Sequence, residues 1–96
     1  IDFNKIFSYQ LESLANKNDL LLLISSSGNS QNIINALKFA KKNLITTIGF
    51  SGFDGGYLKK NCDIPLHFEN NSYQLSEDFH HILMHFIMNE LINELK

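Results

Sequence analysis

A single cysteine, Cys62, has no partner within the chain, so the fold rests on no disulfide framework; the usage suits a reducing compartment, and a cytoplasmic location is expected. Clustered basic charge is also missing. Lys41-Lys42 and Lys59-Lys60 are isolated pairs in a chain of net charge −2, which argues against nucleic acid as the main partner. No long apolar run exists either: Leu20 to Ile24 is far too short to span a membrane. What is left is the composition of an ordinary small globular domain, 44% hydrophobic and 19% charged over residues 1–96. The first residue is Ile1, and Ile6, Tyr9, Leu11, Leu14 and Ala15 would line one face of a helix over about Asp2 to Ala15. A pattern that opens so abruptly predicts a further N-terminal portion outside these residues.

The most informative stretch is Leu20-Leu21-Leu22-Leu23-Ile24-Ser25-Ser26-Ser27-Gly28-Asn29-Ser30. An apolar strand runs into hydroxyls and a glycine, and a helical pattern with Ile33, Ile34, Leu37, Phe39 and Ala40 follows at once. Amide groups at a helix start lack intrahelical acceptors, and the helix dipole adds roughly +0.5 charge there, so the junction suits an anion. There is neither a Walker lysine nor a G-x-G-x-x-G, which disfavours a nucleoside triphosphate or a dinucleotide; a sugar phosphate fits better. A second reading stays open on this segment alone: Ser27 or Asn29 merely caps the helix.

Along the chain, Asn16-Lys17-Asn18-Asp19 reads as a turn, Leu20–Ser25 as a strand and about Ser30–Lys42 as a helix ending near Asn43. Leu44–Phe50 is the second strand, Ser51–Gly56 a glycine-rich turn, about Gly56–Lys60 a short helix, and Asp63–Phe68 a third strand. A long helix begins near Leu75, with Ser76 or Tyr73 close to its cap. Alternating strands and helices predict a parallel sheet covered on both faces, with ligands at the carboxyl ends of the strands. Ser25–Gly28 and Ser51-Gly52 both fall there and should face one crevice.

On a helical wheel, Phe79, Ile82, Leu83 and Phe86 make the face expected to cover the sheet. Glu77, His81, Met84, His85, Met88 and Ile92 lie opposite, a second stripe expected to meet another subunit or the remainder of the protein. His81 and His85 could share a metal, or one could donate a proton; the plainer reading is histidines packed at an interface. Glu77 and His85 stand roughly 12 Å apart along the helix, too far to grip one ion unless the first turn is irregular or one comes from a neighbouring copy. His67 reads as an edge or loop-facing residue.

Taken together, Ile24–Ser30, Gly52-Phe53-Asp54-Gly55-Gly56, and Tyr73 with Glu77-Asp78-Phe79-His80 and His85 resemble the sugar isomerase (SIS) domain family, most closely its phosphoheptose isomerase branch. The likeness runs from Phe7-Ser8 and Leu11-Glu12 to the last helix. It implies an α/β three-layer sandwich with a parallel sheet, SIS-type and flavodoxin-like, of which this chain is the C-terminal part. It further implies that Ser25, Ser27 and Ser30, with Gly28 in the loop, hold the phosphate of a sugar phosphate. His85 matches the family's acid/base histidine, which in some members ligates zinc. Glu77 stands where well-known heptose isomerases have glutamine and belongs to the same catalytic and possible zinc centre. His80 matches a family histidine without an assigned role, and His81 is outside the pattern.

The implied activity is aldose–ketose isomerisation of sedoheptulose 7-phosphate to D-glycero-D-manno-heptose 7-phosphate, for surface polysaccharide or lipopolysaccharide precursors, in a homotetramer. The family's glutamate base lies in an N-terminal half to which nothing here corresponds, so this chain by itself is expected to be inactive. The alternative is a non-catalytic SIS module that binds a phosphosugar or a protein partner, as in replication-initiator-binding or transcription-regulating relatives. A His and a Glu one helical turn apart in the N-terminal half would support the enzyme; a helix-turn-helix there would support the regulator.

Overall fold

A computed structural model describes Leu11, Asn16 and residues 18–95 of the chain. The helix expected over Asp2–Ala15 lies outside them except at Leu11, which is helical and packs against the core. The turn before the first strand is closed by Asp19, whose amide donates to the Asn16 carbonyl and whose carboxylate accepts from the Asn16 amide, both at 2.9 Å.

Six elements follow: β1 (Leu20–Ser25), α1 (Gln31–Lys42), β2 (Thr46–Ser51), α2 (Gly56–Asn61), β3 (Ile64–His67) and α3 (Tyr73–Leu95). The three strands form a parallel sheet in the order β1-β2-β3. Helix α1 forms because Ile33, Ala36, Leu37 and Ala40 recur with helical spacing and are all buried. Together with Leu23 of β1 and Leu58 of α2 they make the core on one side of the sheet. Alternation along β2 sends Gly49 towards Leu58 and Cys62, and Phe50 to the opposite face, where its ring lies 5.8 Å from that of His80 on α3. The result is three layers, with α1 and α2 on one side of the sheet and α3 on the other.

The second strand starts two residues later than its apolar run suggests, because Leu44 and Ile45 finish α1 instead. Leu44 takes a left-handed conformation (φ 59°), its amide donates to the Lys41 carbonyl, and the Ile45 amide donates to Ala40. That is a Schellman stop, with Ile45 supplying the buried apolar residue after it. The third strand is likewise shorter than expected, Ile64–His67, and carries Pro65 where an edge strand tolerates it.

Helix α3 departs furthest from the sequence reading. It begins at Tyr73, where the Ser72 hydroxyl accepts the Leu75 amide at 3.2 Å and the Ser72 carbonyl accepts the Ser76 amide at 3.0 Å. Ser76 is no cap; it is fully buried and shares hydrogen bonds with the Asn70 side chain. The face that meets the sheet is set by Ser76 and His80, flanked by half-buried Phe79, Leu83, Met84 and Ile87. Ile82 and Phe86, expected to cover the sheet, are 66% and 65% exposed. The physical reason lies at Gly52: a β-carbon there would stand 1.9 Å from the Ser76 hydroxyl oxygen, so the helix approaches too closely for a large side chain at this point. Two small residues fix the rotation of the helix, and the apolar wheel then turns Ile82 and Phe86 outward.

Within the described sheet β1 pairs only with β2, and two of its apolar residues, Leu20 and Ile24, are 60% and 41% exposed. The core on the α1 side is tightly closed by contrast. Leu37→Ala should therefore cost roughly 2–5 kcal/mol of folding stability, measured by chemical denaturation; a loss below about 1 kcal/mol would contradict the packing described.

Candidate functional site

The loop between β1 and α1 is shaped by its own hydroxyls. Ser25, buried at the end of β1, accepts the Gly28 amide on its hydroxyl at 3.1 Å, and the Ser27 hydroxyl accepts the Asn29 amide at 3.1 Å. Gly28 has φ 72°, which bends the chain back over the strand end. Ser30 then opens α1: its carbonyl accepts the Ile34 amide at 2.9 Å, while its exposed side chain makes no capping bond. Neither Ser27 nor Asn29 caps α1. The capping reading of this segment fails: no side-chain hydrogen bond caps α1, whose first amide groups lack intrahelical acceptors.

Asn29 has another task. Its side-chain carbonyl accepts the Tyr57 amide at 2.9 Å and so satisfies the start of α2. The two strand-end turns thereby interlock: Gly52 donates to the Ser26 carbonyl at 2.7 Å, and Leu58 donates to the Gly28 carbonyl at 2.9 Å. A β-carbon on Gly28 would sit 1.9 Å from the Gly55 carbonyl oxygen, so the second turn is in direct contact with the first. Asp54 stiffens this second turn by accepting the Gly56 amide at 3.0 Å. The two turns after β1 and β2 thus touch one another, with the glycine-rich turn acting as a buttress for the serine loop.

The strand register puts Ser25, Ser51 and His67 in one row across the carboxyl edge of the sheet. Ser51 is fully buried, and its hydroxyl shares a 3.0 Å hydrogen bond with His67 Nδ1. His67 is thus tied into the strand ends rather than facing a loop. Sequence reasoning missed this link because strand register, which pairs residues 16 apart, is invisible to local pattern.

On the α3 side a cavity of about 280 Å³ is lined by Ile24, Ser26, Glu77, His80, His81 and Met84. Glu77 therefore stands beside the serine loop, which contributes Ser26 to the same wall. His81, outside the family pattern, lines the cavity too. His80 is 4% exposed and stacked near Phe50 and Phe79, at 5.8 and 6.1 Å between ring centroids. His85 is exposed two turns beyond Glu77 and is not part of this lining. The structure thus gathers Ser25, Ser27, Gly28 and Ser30 on one loop with Glu77 nearby, and leaves His85 further along the helix.

Among the described residues no group of three or more His, Cys, Asp or Glu side chains is placed to hold a metal ion. Glu77 and His85 stand about 12 Å apart along the axis of one helix. Burial pushes the Cys62 thiol pKa above its ordinary value. Among these residues no helix is long and apolar enough to cross a membrane.

Comparison with known proteins agrees with this geometry. The SIS domain model matches residues 4–84. Phosphoheptose isomerase of Aliarcobacter butzleri is 43% identical over 93 residues, covering 97% of this chain and 49% of that protein. The Clostridium acetobutylicum phosphoheptose isomerase is 40% identical over 93 residues, covering 97% and 47%. The structure of phosphoheptose isomerase GmhA from Neisseria gonorrhoeae superposes with a TM-score of 0.87 at 31% identity, over 91% of this chain and 50% of that one. This chain spans about half the length of these relatives. The uncapped serine loop, the parallel sheet that presents it and the match over most of the sequence lead to one conclusion: the chain belongs to the SIS domain family.

Proposed function

We propose that the full-length protein carrying this chain is a phosphoheptose isomerase that interconverts sedoheptulose 7-phosphate and D-glycero-D-manno-heptose 7-phosphate, in the cytoplasm, for surface polysaccharide or lipopolysaccharide precursors. The observation that carries the reading is the serine loop, a hydroxyl-rich glycine turn leading into the start of α1 without a side-chain cap. The relatives named above, all phosphoheptose isomerases, support the choice of substrate. In this reading Ser25, Ser27 and Ser30 bind the phosphate, and Gly28 gives the loop its turn. The sugar extends from there past Ser26 towards Glu77.

The chemistry is a proton shuttle. A base removes a proton from C1 of the ketose, the electron pair forms the C1–C2 double bond of an enediol, and a proton returns at C2 while the hydroxyl proton passes from O1 to O2. His85 is assigned the exchange of protons with the substrate oxygens. Glu77, at the cavity wall, is assigned the stabilisation and orientation of the reacting hydroxyls. A zinc ion at Glu77 or His85 would take its remaining ligands from outside the described residues and would supply electrophilic stabilisation of the developing oxyanion. The carbon base is assigned to an N-terminal portion outside these residues, and assembly is assigned to a homotetramer.

Turnover of sedoheptulose 7-phosphate by the full-length protein tests the reading, and His85→Ala should lower it by about 100-fold or more. Unchanged turnover in that variant would remove His85 from the mechanism. Absence of turnover in the wild type, with phosphosugar binding that disappears in Ser27→Ala, would leave a non-catalytic SIS module. The cradle has its own test. Gly28→Ala forces a β-carbon against the Gly55 carbonyl at a left-handed position, so inorganic phosphate binding should be lost, with a fall in stability of about 2 kcal/mol or more. Wild-type phosphate affinity in Gly28→Ala would show that the anion binds elsewhere.

A further inference from the structure

Phe53 follows Gly52, which bonds Ser26 of the serine loop, and Tyr73 stands one helical turn before Glu77; neither takes part in the hydrogen bonds that shape the loop. Phe53 has φ 47°, a left-handed conformation that an aromatic residue rarely adopts, in a turn that places glycine at 52, 55 and 56 but not here. Its ring meets that of Tyr73, the first residue of α3, edge to face with 4.7 Å between centroids and 62° between planes. Both lie next to residues that meet at Gly52. Gly52, immediately before Phe53, donates to the Ser26 carbonyl at 2.7 Å. Ser76, one turn after Tyr73, is pressed against Gly52.

A pair serving only to close a core would be covered. Here Tyr73 is 60% exposed and Phe53 half-buried, at the carboxyl ends of the strands, where parallel α/β sheets take their ligands. An uncommon backbone conformation kept for a large, partly exposed ring at such a place points to use rather than packing. We propose that Phe53 and Tyr73 form an apolar wall for the carbon chain of the phosphosugar, making them specificity-determining residues; the inference rests on the phosphosugar reading of the site. The ligand class is a phosphorylated polyhydroxy chain. Its C–H bonds pack against the rings, while its hydroxyls are left to polar partners such as Glu77. Inorganic phosphate fills the serine loop alone and does not touch the wall.

The two ligands therefore separate the wall from the loop. Phe53→Gly suits the left-handed turn and removes the ring, so the melting temperature should hold or rise. Binding to the full-length protein is measured by calorimetry with sedoheptulose 7-phosphate and, separately, with inorganic phosphate. Phe53→Gly and Tyr73→Ala should each weaken the sugar phosphate roughly fivefold to tenfold, Tyr73→Phe should not, and inorganic phosphate should change less than about twofold. A parallel loss for both ligands would make the pair a brace for the loop and overturn the proposal. Unchanged affinity for the sugar phosphate in both ring-deleting variants would overturn it as well. Failure of the wild type to bind sedoheptulose 7-phosphate would instead overturn the phosphosugar reading, and the wall with it.

Discussion

Two backbone hydrogen bonds, Gly52 to Ser26 and Leu58 to Gly28, join the turns after β1 and β2 and fix the shape of everything at the carboxyl edge of the sheet. A serine-rich loop in isolation has many conformations of similar energy, and ordering it for an anion costs entropy each time one binds. Here the cost is met during folding. The carbonyls of Ser26 and Gly28 are engaged by the neighbouring turn, and the Asn29 side chain by the start of α2. The loop is thus held in one shape by its own bonds, and in the proposed phosphate site that spares reorganisation when the anion binds.

The same frame reaches α3. Gly52 is at once a donor to the serine loop and the seat on which Ser76 rests. Glu77 follows Ser76 directly, so its backbone has little freedom relative to the loop. A helix docked through leucines could slide by a fraction of an ångström with small loss; one docked through a serine on a glycine, with Asn70 bonded to the same hydroxyl, cannot. Precision at this corner comes from small polar residues, and the apolar residues of α3 fill the space that remains, Phe79 against Phe68 at 5.1 Å among them.

Local pattern carried much of this architecture. The run Leu20–Ser25 matched its strand to the residue, and α1 matched within one residue, because continuous apolar character and helical spacing report burial directly. The serine loop was legible because hydroxyls and a glycine between a strand and a helix leave few other uses for the backbone. What escaped was non-local. Leu44 and Ile45 look like strand and serve as a helix stop, since propensity does not show which end of a junction recruits a residue. The rotation of α3 depended on Gly52, 24 positions before Ser76, and no wheel drawn on α3 alone contains that contact. The Asn29–Tyr57 and Ser51–His67 bonds belong to the same class.

β1 raises a different matter. Its outer edge, bordered by exposed Leu20 and Ile24, has no strand partner among the described residues and a nearly unbroken aliphatic sequence. Such a rim is adhesive: an extended segment of another molecule can add to it as readily as a proper neighbour. Handled at high concentration without whatever strand shields that rim, these residues would be drawn towards cross-strand aggregation, and fragments or fusions cut close to Leu20 would inherit the problem in full.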